Sequence, residues 1–222
     1  MATYLIRLRL PDRPGALGAV ASRIGSVGGD VVSIDILQRG DGEVVDEFGV
    51  VLPGDDLTEL LKGEILEVDG VELEALRIVE GALPDRHAEI LELATALFQQ
   101  TSPTGVLEYL TSQVRQSLDA KFAATLDPEA RRPVAVDGDA PSDIDFASLA
   151  RRAAAPYDSN DHMAMASLTR AGVVLVVNRA DLVFRPRERL RMSTMAELAD
   201  HRWGELTSRS TIQGPDLPEG AG

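Results

Sequence analysis

The stretch LPDRPGALGAV, residues 10–20, decides how the first third of this chain folds. Ahead of it Tyr4, Ile6, Leu8 and Leu10 share one face of an alternating run, with Arg7 and Arg9 pointing the other way, the pattern of a half-buried strand. Behind it Leu17, Val20, Ala21 and Ile24 recur at helical spacing. The residues between must therefore turn a strand into a helix, and Pro14 suits the first helical turn, where a missing N–H costs nothing. Backbone N–H groups at a helix start lack intrahelical partners and carry partial positive charge, so this turn can hold a small carboxylate. The other use of the same residues is a plain connection that Asp12 helps to cap.

Working outward, Gly28-Gly29 ends the helix, because glycine takes the left-handed cap conformation cheaply. Residues 30–38 alternate again and place Val32, Ile34 and Ile36 on one face. RGDGE (39–43) supplies a glycine-containing hairpin, and VVDEFGVVLP (44–53) returns as a strand. A short helix over 57–65, capped by Asp55 or Asp56, turns Leu57, Leu60 and Leu61 inward, and residues 71–81 form the last strand. The order strand-helix-strand-strand-helix-strand predicts an α+β, ferredoxin-like sandwich: a four-stranded antiparallel sheet with two helices on one face. So short a unit leaves its other sheet face or an edge strand open, and side-by-side dimerisation is the expected cover.

Three features give the first 81 residues a family likeness. These are Asp12-Arg13-Pro14-Gly15-Ala16-Leu17 after the first strand, Gly28-Gly29-Asp30-Val31 opening the second, and Asp46-Glu47-Phe48 in the third. In this order they resemble an ACT domain, the small regulatory module of amino-acid metabolism. The resemblance implies an amino-acid ligand at a dimer interface. Its carboxylate would meet the turn, and its ammonium would meet side chains of the turn and of the partner's second strand. Carried over by position, the ligand-binding residues are Asp12, Gly15, Ala16, Leu17, Asp30 and Val31. Position 30 is Asp where the family usually has Asn, and the added charge opposes a bound carboxylate unless it pairs with the ammonium. A bulky residue at Gly15 is expected to block close approach while leaving the fold intact.

From residue 82 the character changes. Two helical patterns, 85–100 and 103–118, are separated by Thr101-Ser102-Pro103. A strand over 119–127, strand fragments and loop over 128–145, and a helix over 144–155 follow. Residues 162–184 read as a strand pair turning at Arg170-Ala171-Gly172, and 186–203 as a helix with Pro186 in its first turn. This order, clearest over 163–200, resembles a GAF domain, the small-molecule sensor related to the PAS fold. Its middle is shorter than a full GAF domain, so 82–203 is expected to be a degenerate GAF-like domain, and the polar residues 204–222 a mobile tail.

Composition narrows the function. The formal net charge is −14, and residues 1–81 alone carry 7 basic and 16 acidic side chains. Such a field repels phosphate backbones, so no nucleic-acid partner is expected. Arg185, Arg187, Arg189 and Arg191 form the one basic cluster, and helical spacing spreads them around an axis into solvent. The chain has no cysteine, enters a strand pattern directly after Met1 and holds no apolar run long enough to span a bilayer. A cytoplasmic protein without a membrane partner is expected.

GSVGGD (25–30) lacks the spacing of a dinucleotide fingerprint and follows a helix rather than a strand. The acidic stretch 137–145, with Asp137, Asp139, Asp143 and Asp145, has Ser142 and Ser148 where a calcium loop needs Gly and Glu, and reads as a solvated loop. His87, His162 and His201 have no metal spacing, and neither a nucleophile elbow nor a phosphate loop is present. The expectation is a non-enzymatic, cofactor-free regulatory homodimer that binds a small amino acid and signals to a protein partner. Its alternative is a ligand-free homodimeric scaffold.

Overall fold

The computed structural model describes residues 1–81, 83, 85–140, 145, 148 and 162–212. It is a mixed α+β structure of two units, Met1–Asp85 with Arg185–Glu188, and Arg86–Phe184 with Arg189–Gly222.

The first unit runs β1 (Ala2–Pro11), α1 (Ala16–Ser26), β2 (Asp30–Gly40), β3 (Glu43–Leu52), a 3-10 turn (Asp55–Leu57), α2 (Thr58–Leu66) and β4 (Glu72–Val79). Its four strands form an antiparallel sheet in the order β2-β3-β1-β4. Asp41 and Gly42, at φ 57° and 80°, make the tight turn between β2 and β3, a geometry whose twist matches that of the paired strands. Tyr4, Ile6, Leu8 and Leu10 of β1 join Phe48, Val50 and Leu52 of β3 against Val20 and Ile24 of α1 and Leu61 and Ile65 of α2. Burying these side chains is the main driving force for this unit, at about 2 kcal/mol each.

Several expectations are corrected here. Helix α1 starts at Ala16, so Pro14 precedes it instead of occupying its first turn. Neither Asp55 nor Asp56 caps α2 by a side-chain bond; the 3-10 turn leads in, and Thr58 Oγ1 donates to Asp55 O at 2.8 Å. Val32, Ile34 and Ile36, which alternation sets on one face, are 50, 42 and 45% exposed. β2 is a sheet edge, the core is built on the central strands β1 and β3, and register shifts at Val31/Ser33 and Ile36/Gln38 break the alternation of β2. Of the two openings expected, a sheet face or an edge strand, the edge is β2, and the second sheet face carries buried residues. Leu5 and Arg7 of β1 and Val45 and Glu47 of β3 are buried there, and a side chain on Gly49 would meet Ser33 and Leu83.

The second unit holds α3 (Arg86–Gln99), α4 (Pro103–Ser117), β5 (Phe122–Asp127), β6 (Arg132–Gly138), β7 (Met163–Leu168), β8 (Val173–Asn178) and most of α5 (Pro186–Ile212). Its sheet is antiparallel in the order β6-β5-β8-β7. Leu97 of α3, Leu110 and Val114 of α4, Leu175 and Val177 of β8, and Met192 and Met195 of α5 share one core, while Ala124, Leu126 and Val176 form a smaller cluster. Ser102 caps α4 by accepting from Gly105 N at 3.1 Å. Asp200 of α5 accepts from the N–H groups of Arg170 and Ala171, both at 3.0 Å, and so ties down the β7–β8 turn.

Helix α5 runs to Ile212, so residues 204–212, expected in the tail, are helical. Leu206 packs on the core and Thr207 Oγ1 donates to Trp203 O at 3.1 Å, which carries the helix onward. The rest of the tail and the helix expected over 144–155, apart from residues 145 and 148, lie outside the described residues. Among the described residues no helix is long and apolar enough to cross a membrane.

Candidate functional site

The turn after β1 is held by the hairpin tip beside it: Asp12 N donates to Gly42 O at 2.8 Å. Gly15 is the N-cap residue of α1 at φ +89°, and Ala19 N donates to its carbonyl at 2.9 Å. Ala16 N reaches Arg13 O at 3.3 Å. Among the described residues, the N–H groups of Leu17 and Gly18 have no acceptor. No side chain caps this helix and its first turn holds no acidic residue. The result is an uncapped helix start, whose free donors and partial positive charge suit a small anion.

Asp12 does not cap the helix, because its carboxylate is used elsewhere. Arg39 Nε and Nη2, from the far end of β2, donate to Asp12 Oδ2 and Oδ1, both at 2.9 Å. Those hydrogen bonds hold the Asp12 carboxyl below its ordinary pKa. A side chain at Gly15 would find open space, but at φ +89° any L residue is strained. The expectation that a bulky residue leaves the fold intact is therefore corrected.

The remaining expected site residues divide in two. Ala16 is buried under the turn and Leu17 is exposed beside it. Asp30 and Val31 open β2, with Asp30 exposed and Val31 packed on the core. Asp30 pairs with Val51, whereas Arg39 pairs with Val44. Seven residues of β3 separate these two pairings, roughly 24 Å along the sheet at the usual rise per residue. One copy of the chain brings Asp12, Gly15, Ala16 and Leu17 together, and leaves Asp30 and Val31 apart from them.

Asp46 is the residue that the sequence reading missed at this site. Its Cα neighbours are Leu8 on β1 and Ile36 on β2, and it stands in the core-facing row Val44, Asp46, Phe48, Val50, Leu52. It is 4% exposed, and its Oδ1 has no hydrogen-bond partner among the described residues. Burial pushes its pKa up to about 6; the charge of Arg39 opposes this rise and that of Asp12 adds to it. The sequence held a signal, a carboxylate in an otherwise apolar alternating row.

Other buried charged groups are paired in part, with Arg7 Nε and Nη1 and Glu74 Oε2 also lacking a hydrogen-bond partner among the described residues. On the opposite sheet face Arg7 Nη2 donates to Glu47 Oε2 at 2.9 Å and Glu188 Oε1 at 3.0 Å, all three residues being buried. Burial lowers the Arg7 pKa most, yet the two carboxylates together hold it above its ordinary value. The arginine cluster is not a solvated face, because acceptors lie within reach of each member. Arg185 bonds Glu74 and Gln38, Arg187 reaches Ile36 O, Arg189 Nε donates to Phe184 O, and Arg191 lies 3.7 Å from Glu89. Of the acidic stretch, Asp137 pairs with Arg115, and Asp143 lies outside the described residues. Among the described residues the second unit has an open cleft of about 620 Å³ lined by Arg170, Trp203, Glu205 and Ser208, and a smaller one of about 90 Å³ lined by Phe98, Leu198 and His201.

No family model matches this chain, and no curated protein does. Among solved structures it is similar to the GAF domain of an Acinetobacter phosphoenolpyruvate-protein phosphotransferase, at 11% identity and TM-score 0.42, over 61% of this chain and 100% of that one. It is also similar to a bacteriophytochrome from R. palustris, at 12% identity and TM-score 0.46, over 79% of this chain and 43% of that one. A formyltetrahydrofolate deformylase from Pseudomonas putida KT2440 matches at 14% identity and TM-score 0.29, over 44% of this chain and 37% of that one. The chain thus spans less than half the length of the last two. At these scores the likenesses say nothing of ligand or chemistry.

Proposed function

We propose that this chain is a non-enzymatic regulatory protein. Its first unit is a ferredoxin-like, ACT-type module that binds a small amino acid where two copies meet along β2. Its second unit is a GAF-like module that passes the bound state to a protein partner. The observation that carries the reading is the uncapped start of α1, opening beside an exposed edge strand. The free N–H groups of Leu17 and Gly18 suit the ligand carboxylate. Val32, Ile34 and Ile36 give β2 the exposed apolar edge that a second copy covers.

Strand geometry supports the pairing. Antiparallel self-pairing of β2 about a two-fold axis at Asp35, the midpoint of Asp30–Gly40, sets one copy's residue 30 opposite the other's residue 40. The partner's Asp30 and the partner's Val31 then approach the Asp12–Leu17 turn, which completes the set that one copy leaves divided. The ligand stabilises the paired arrangement by its differential affinity, and that preference is the signal.

One observation favours the second reading, a ligand-free homodimeric scaffold: the Asp12 carboxylate is already taken up by Arg39. Sedimentation of the full chain, together with melting curves in each of the twenty amino acids, separates the two. The first reading expects a dimer that Ile34→Glu converts to monomer, and a concentration-dependent rise in Tm with one or a few amino acids. A dimer lost in Ile34→Glu but indifferent to every amino acid supports the scaffold. A parent monomer contradicts both.

A further inference from the structure

Asp46 takes no part in the contacts described for the turn, yet it sits next to them. Arg39 pairs with Val44, two residues before Asp46 on the same strand, so Arg39 and Asp46 are diagonal neighbours on one sheet face. Arg39 gives Nε and Nη2 to Asp12 and leaves Asp46 Oδ1 without a donor. Two carboxylates therefore flank one guanidinium, and the buried one of the two has an unpartnered oxygen. A carboxylate buried without donors is unfavourable, and such groups gather where a ligand supplies what is missing. Leu8 and Ile36 beside it are apolar. What fits is a compact cation with several N–H donors, a primary ammonium, which presents three.

We propose that Asp46 is the ammonium-binding carboxylate of the turn site, with Arg39 as its built-in stand-in, holding beside Asp12 the place that a ligand's α-ammonium takes. The proposal rests on the amino-acid reading above and adds to it a residue and a competition. The ligand carboxylate lies on the free N–H groups at the start of α1, and its ammonium lies between Asp12 and Asp46. Arg39, already 68% exposed, turns out into solvent. One positive charge replaces another, so no carboxylate is left with less compensation than before. The site thereby favours a zwitterion over a simple anion, because an anion leaves Arg39 in place and Asp46 unsatisfied.

The test uses the full-length protein in solution, followed by NMR at neutral pH, with three probes: glycine, glycinamide (an ammonium without a carboxylate) and N-acetylglycine (a carboxylate without an ammonium). Glycinamide should shift the Asp46 side-chain carboxyl and the Arg39 Nε–H, N-acetylglycine the amides of Leu17 and Gly18, and glycine both sets. Asp46→Asn should weaken glycinamide about tenfold or more and leave N-acetylglycine within about twofold. Arg39→Gln, a substitution at an exposed residue, should tighten glycinamide several-fold and decides the matter alone if Asp46→Asn fails to fold. Glycinamide that leaves Asp46 unshifted, or that binds equally to parent and both variants, overturns the assignment. An intact N-acetylglycine response in that case keeps the turn site. Glycinamide binding through Asp46 with no N-acetylglycine response keeps the ammonium site and contradicts the amino-acid reading.

Discussion

Asp46 and Glu47 are neighbours on β3, equally buried, on opposite faces of one sheet. Glu47 lies beside the Arg7 guanidinium, whose Nη2 it shares with Glu188. Asp46 lies in an apolar row with an oxygen that nothing in the described chain bonds. The difference shows that burial of a carboxylate is not in itself a mark of function. On one face the acid arrives with its donor and serves the fold. On the other it arrives without one and destabilises the folded chain, the pattern expected where a site is kept at the expense of stability.

The comparison can be broken from either side, and the largest effect belongs to the paired face. Arg7→Ala strands two buried carboxylates and should lower stability by about 3–5 kcal/mol in urea denaturation. A loss below about 1 kcal/mol would mean that the cluster is hydrated and not a structural pair.

Asp46→Asn should act in the opposite direction, raising stability at pH 7 by about 1–3 kcal/mol. The folded carboxyl, held at about 6, lies above its ordinary 3.8. Below about pH 4 it is protonated in both states and costs nothing. Between about 4 and 6 the unfolded chain ionises first, so the penalty grows as pH rises, and above about 6 it is fully present. The gain from Asn should therefore vanish near pH 4 and be complete at pH 7. A gain that is equal at both pH values would place its cause in packing.

Gly15→Val puts a β-branched residue at φ +89° and should cost about 1–2 kcal/mol, visible as a lower Tm without ligand. An unchanged Tm would mean that the turn relaxes and that its donors are less fixed than described. The smallest effect is expected from Arg39→Gln. Its pair with Asp12 is exposed, so Tm should not move measurably while the glycinamide response changes.

Much of the first unit was legible from residues alone. Alternation in 4–10, helical spacing in 17–24 and the Asp-Gly turn at 41–42 are local signals, and the element order follows from them. What was not legible depends on neighbours in space. Arg7 reads as an outward residue until Glu47 and Glu188 are known to lie beside it. Val32, Ile34 and Ile36 read as one face of a strand, but alternation tells neither an edge strand from a central one nor where two register shifts fall. Arg185 and Arg187 read as solvated because their acceptors lie far away in sequence.

At the site itself the turn was legible, and the pairing of Asp12 with Arg39 was not, since 27 residues separate them. Asp46 was within reach of sequence reasoning. It interrupts an apolar row by one carboxylate, a conflict between pattern and residue type of the kind expected at functional positions.

The most direct test of the account is the titration of the Asp46 side-chain carboxyl, followed by its carbon resonance in the full-length protein with and without saturating glycinamide. A midpoint near pH 6 is expected without the probe, and a fall toward the ordinary carboxylate range once an ammonium supplies the missing donors. A midpoint near 4 or below in the ligand-free protein would show that Asp46 already has its donors, and would contradict the claim that it waits for a cation.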